Sequence, residues 1–143
     1  MRNGAGSLIY AVSIAAEHKL DVDKFDDRLM MQKGCFLLNH MGASPSYSFN
    51  MYIRGPYSSE LADDYFEINR NRIPLDGTDV DADMIGRLSA IFGKGIPYTE
   101  AYATLVLAKK YNPRIPAEKV KDMVIGMKPH LKEEIEEASL SVL

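Results

Sequence analysis

The second apolar segment of the chain holds the residues most able to do chemistry. Asp26, Lys33 and His40 recur at intervals of seven. At about 100° per residue a helix keeps such positions nearly in line, with a drift of about 20° per step. They fall within the arc of Leu29, Phe36, Leu37 and Met41, away from a polar side marked by Arg28, Gln32 and Asn39. An ammonium buried without a partner is costly, so Lys33 needs a carboxylate, a route to water or a depressed pKa. In a cleft, Lys33 would serve as a cation and His40 as a proton carrier. Alternatively, Lys33 pairs with a carboxylate of a neighbouring helix or caps a helix end, and His40 bonds to backbone. The structural alternative is favoured, because a lysine and a histidine alone lack a nucleophile–base arrangement.

Other chemistry is thinner. His18, His40 and His130 lie far apart and form no zinc-helix or calcium-loop spacing. Asp26-Asp27 and Asp63-Asp64 are adjacent, so each pair diverges around a helix. Asp79, Asp81 and Asp83 alternate as in part of a calcium loop, without its glycine and bidentate glutamate. Cys35 is the single cysteine; it cannot form an internal disulfide, and it reads as a small apolar residue. There is no phosphate loop, dinucleotide fingerprint or serine elbow. The expectation is a protein without catalysis, metal or cofactor.

The elements that must position these residues follow from composition and period. The chain has 143 residues, 46% hydrophobic and 26% charged, with net charge −3. That suits one soluble domain over 1–143, in a reducing cytoplasm. The apolar run from Leu8 to Ala16 falls short of the about 20 residues a bilayer needs, and it lacks the features of a signal peptide. Helical spacing predicts a first helix from about Ser7 to Lys19. Asp21 or Asp23 then caps a second, which Gly42 ends. Tyr47, Phe49, Met51 and Ile53 alternate with Ser48, Asn50 and Tyr52, a strand signal that Arg54-Gly55-Pro56-Tyr57 breaks. Ser58 or Ser59 opens a third helix and Asp81 a fourth. Tyr98 to Tyr111 is apolar nearly all round and belongs in the core. Pro116 and Pro129 introduce two more helices. The fold class is mainly α, a single domain of about six to seven helices with one short strand or small hairpin near 47–53.

Basic residues gather at Lys109, Lys110 and Arg114, and again at Lys119, Lys121 and Lys128. Two helices followed by a strand also suit a winged-helix regulator whose second helix reads DNA. That helix is apolar on most faces, which weakens this alternative.

Two segments carry a resemblance. They are Arg28-Leu29-Met30-Met31-Gln32-Lys33-Gly34-Cys35-Phe36, and Tyr47 through Arg54-Gly55-Pro56-Tyr57-Ser58-Ser59-Glu60-Leu61. Together, within a motif-bearing core of 24–72, they resemble the YwgA-like family of prokaryotic proteins and, more distantly, the Panacea antitoxin domain. By position, the motif falls on Gln32, Lys33, Tyr52, Gly55, Pro56, Tyr57, Ser58 and Leu61. Met31 and Gly34-Cys35 depart from it, and the chain after Ile73 lacks a wing-like strand pair. The resemblance implies a helical domain that neutralises a toxin or binds a protein partner. The residues themselves offer Tyr52, Arg54 and Tyr57 as an interaction surface, since Tyr and Arg anchor interfaces well. No membrane partner is expected, and an exposed Leu131–Ile135–Val142 stripe would favour a homodimer. Lys33 is expected to donate into the Gly55-Pro56 loop or to Asp63 or Asp64, fixing the turn that presents Tyr52, Arg54 and Tyr57. Lys33→Met should then loosen or unfold the domain in a thermal melt; full stability with loss of binding would defeat that role.

Overall fold

Apolar residues on every side of one helix make it the hub. The computed structural model describes all 143 residues, and in it α5 (Ile96–Tyr111) is buried from Tyr98 to Ala108 except at Tyr102. Against it pack α2 (Phe25–His40), α4 (Ala82–Phe92), α6 (Ala117–Met127) and α7 (Lys132–Val142). On the far side of α2, α1 (Ala5–Ala16) packs on α2, on α4 and on α3 (Ser59–Arg70). A 3₁₀ turn, Pro129–Leu131, joins α6 to α7. Strands β1 (Asn50–Tyr52) and β2 (Gly55–Tyr57) form a two-stranded antiparallel hairpin between α2 and α3. The chain is thus mainly helical with one small hairpin, and no helix is long and apolar enough to cross a membrane.

Helix starts follow capping chemistry at two of the predicted places. Ser58 Oγ accepts the Leu61 N–H at 3.2 Å, and Asp81 accepts the Asp83 N–H at 2.7 Å. The start of α2 differs from expectation. Lys24 is its N-cap and supplies no side-chain bond. Instead Asp27, inside the first turn, accepts the Asp21 N–H at 2.9 Å and holds His18 at 2.9 Å. One carboxylate near the positive end of the helix therefore satisfies the incoming loop.

The hairpin also departs from the alternation. Tyr47 is buried, with its hydroxyl donating to Asp64 at 2.6 Å, and Phe49 meets the Phe36 ring edge-on at 5.2 Å. Pairing starts only at Asn50, opposite Tyr57. Pro56 does not end the sheet but lies opposite Met51 in its second strand, which a two-stranded edge permits. Ile53 and Arg54 form the turn between Tyr52 and Gly55, so Ile53 swings out and is 90% exposed.

Two expectations for the C-terminal part are corrected. Leu131 and Ile135 are buried and Val142 is half-buried, because α7 lies along α5; that stripe is spent on the chain's own core. Lys128 is buried as well, so it is no part of a basic surface.

Gly34 marks the tightest helix crossing. A Cβ there would lie 2.6 and 2.9 Å from the two Val12 γ-methyls and 3.1 Å from Phe92. A valine side chain has little rotamer freedom in a helix, so it cannot yield easily. Gly34→Ala is expected to lower stability by about 1–2 kcal/mol in urea unfolding, the clash outweighing the better helix propensity of alanine.

Candidate functional site

Adjacent residues of α2 grip the chain where β2 passes into α3. Gln32 pairs with the Ser58 backbone in both directions: its Nε2 donates to the Ser58 carbonyl at 2.9 Å, and its Oε1 accepts the Ser58 N–H at 2.8 Å. Lys33 Nζ donates to the Pro56 carbonyl at 2.6 Å. Both side chains are buried, each 2% exposed. A carboxamide is the neutral side chain able to satisfy a peptide N–H and C=O together. This explains why Gln32, placed by periodicity on the polar side, lies inside.

The same hairpin rests on a buried charge cluster. Glu100 of α5, 2% exposed, accepts from Arg54 Nε at 2.7 Å through Oε1. Its Oε2 lies 3.0 Å from Lys128 Nζ, a close charge contact that is not aligned as a hydrogen bond. Lys128 instead donates to the Ile53 carbonyl. Gly55, at φ +94°, sits over α5 where a Cβ would come within 2.6 Å of Thr104 Oγ1. With Ile53 and Arg54 at negative φ, the turn is not of the primed kind usual for two-residue hairpins, and Gly55 closes it in the manner of a glycine bulge. Buried side chains from two regions, α2 and the end of α6, thus hold the carbonyls of Ile53, Pro56 and Ser58.

Three cations share this cluster with one carboxylate. Burial, opposed by Glu100 and reinforced by Lys128 and Arg54, lowers the Lys33 pKa to about 7. Burial raises the Glu100 carboxyl, but the hydrogen bond from Arg54 and the adjacent Lys128 ammonium outweigh it and leave its pKa below the ordinary value. Near neutrality Lys33 can release its proton and still donate to Pro56 through a remaining N–H.

The outer face of the hairpin is apolar and aromatic. Tyr52 and Tyr57 meet edge-on at 5.3 Å across the strands. Exposed Phe25 lies beneath the guanidinium of Arg54 at 5.1 Å, and exposed Phe66 of α3 borders the same hollow.

Of the predicted polar set, Gln32 and Lys33 converge on the hairpin, whereas Asp26 and His40 do not. Both are exposed, because they sit at the two ends of α2, beyond its neighbours. Burial still lowers the pKa of the half-covered His40, aided by Lys110, but no hydrogen-bond relay links it to Lys33. The carboxylate near Lys33 is Glu100, not Asp63 or Asp64. Asp64 accepts from Tyr47, and Asp63 faces solvent. Tyr52, Arg54, Gly55, Pro56, Tyr57 and Ser58 do come together, Tyr52 and Arg54 on the surface and Gly55, Pro56 and Ser58 underneath. Glu100 and Lys128 were missed, although a lone glutamate bordering an all-apolar helix is a signal for a buried ion pair. Cys35 is fully buried, which pushes its thiol pKa up and makes it inert.

No known family model matches this chain. No curated protein and no solved structure matches it either.

Lys33 gives the site a pH signature. Its folded pKa lies below the ordinary 10.5, so from about pH 7 upward the unfolded chain binds more protons, and stability rises with pH. The slope is at most about 1.4 kcal/mol per pH unit. The rise should be read between pH 7 and 9, before Cys35 and Tyr47, whose pKa values burial raises, oppose it. His18, raised chiefly by its bond to Asp27, also works in the opposite sense. Urea unfolding of wild type and Lys33→Met across this range isolates the contribution: the difference between their slopes is expected to be positive for wild type.

Proposed function

We propose that the chain is a non-enzymatic protein-interaction module that binds its partner through the β1–β2 hairpin. The observation that carries this is Ile53, a large apolar side chain 90% exposed at the tip of a hairpin whose backbone is held from below. Exposed Phe25, Tyr52 and Phe66 extend the same face. Contiguous exposed apolar surface is disfavoured in water unless something covers it, and a rigid presentation lowers the ordering cost of association. Aromatic and arginine side chains are those most often found as anchors in interfaces. The resemblance to the Panacea antitoxin domain supports a neutralising or regulatory role for such binding.

The winged-helix alternative fares worse. Its recognition helix would be α2, which is buried without interruption from Met31 to Leu38 and cannot enter a groove. Lys128, counted toward a basic face, is buried on Glu100, and Lys109 is turned onto the carbonyls of Pro113 and Ile115.

Ile53→Asp tests the proposal without touching the core. In affinity capture from the native cell, wild type should retain a protein that the variant loses by tenfold or more, while both melt at the same temperature. Equal capture by both, or steeply salt-dependent duplex binding with no protein retained, would overturn it.

A further inference from the structure

The hairpin face is not flat. Between it, the start of α2 and the outer side of α3 lies a hollow of about 330 Å³. That volume falls within the range of sites that enclose small groups. Its apolar wall is aromatic: Phe25, Tyr52, Tyr57, Tyr65 and Phe66. Its polar wall has Gln32 and the buried Lys33 at its base and the guanidinium cations of Arg28 and Arg54 above, and no carboxylate lines it.

This charge pattern runs against the chain as a whole, whose net charge is −3. Two of the cations are only half spent. Arg28 gives Nη1 to the Val22 carbonyl at 2.8 Å, and Arg54 gives Nε to Glu100 at 2.7 Å. The two guanidiniums lie 5.9 and 5.1 Å from the Phe25 ring centre, so both are placed at the mouth of the hollow. An apolar group entering between the aromatics would bring any carboxylate beside it within reach of these donors. A guanidinium offers a carboxylate paired N–H donors in one plane, which an exposed ammonium does not.

We propose that the hollow is the specificity pocket of the hairpin surface, and that it takes an aromatic or large aliphatic side chain of a protein partner flanked by acidic residues. This rests on the protein-interaction reading and adds the chemistry of the partner. Burial of the apolar side chain supplies affinity, and the cationic rim selects an acidic segment over a basic one.

Display of random twelve-residue peptides against the folded protein tests it. Enriched peptides should pair an aromatic, leucine or isoleucine residue with neighbouring Asp or Glu. Synthetic copies of them should shift the amide resonances of Phe25, Tyr52, Ile53 and Phe66. Replacing their acidic residues by lysine should weaken binding at least tenfold, as should Phe25→Glu, which puts a carboxylate at the mouth. Arg28→Gln should weaken it several-fold, with a melting temperature near that of wild type showing that the fold survives. Enrichment of neutral or basic peptides, shifts elsewhere on the protein, indifference to Phe25→Glu, or no enrichment at all would overturn the pocket assignment. If the captured partner still depends on Ile53 in that event, the hairpin binds by another chemistry; if it does not, the interaction reading falls as well.

Discussion

The structure turns on the grip of α2 upon the β2–α3 connection. A two-stranded sheet with three residues per strand has almost no stability of its own in water. Its turn, Ile53-Arg54, lacks the asparagine–glycine chemistry that would form it locally. What replaces local preference is a set of buried donors. Gln32 takes both polar groups of one peptide residue, Lys33 takes the Pro56 carbonyl, and Lys128 takes the Ile53 carbonyl. Each of these backbone groups would otherwise be buried or half-buried without a partner, at a cost of about 1–3 kcal/mol. The hairpin exists because the core is polar where it meets it.

That polarity is unbalanced in charge, and one carboxylate oxygen of Glu100 has a cation beside it but no hydrogen bond. Desolvated ions gain little net stability from pairing, so a cluster of three cations and one carboxylate is a poor device for stability alone. Its use is to define geometry. Glu100 orients Arg54 and Lys128 together, and Arg54 in turn lies over Phe25. Lys33 relieves the excess charge by titrating near neutrality. An all-apolar replacement could pack as well, yet would leave the tip free to slide.

Much of the fold was legible in residue order, because its signals are local. The apolar circumference of α5 and the caps Ser58 and Asp81 act within a turn or two of chain. Lys33 on an apolar arc near Gly55-Pro56 also pointed to the bond that forms. Other features failed for physical reasons. A helix surrounded by α1, α4, α5 and β2 has no polar side, so a wheel drawn on α2 cannot separate Gln32 from its apolar neighbours. The wheel also carries no information on where neighbouring helices stop, and Asp26 and His40 lie past those points. The turn that throws Ile53 outward is imposed by Glu100 and Lys128, which lie dozens of residues away in sequence.

That separation has a kinetic side. The bond between Lys128 and Ile53 spans 75 positions, and pairings so distant must await loop closure across most of the fold. During synthesis the amino-terminal helices and both strands emerge well before Lys128 does. Until then the tip lacks one of its anchors and Glu100 one of its counter-charges. The hairpin surface therefore has its full set of anchors only when the carboxy-terminal third is docked.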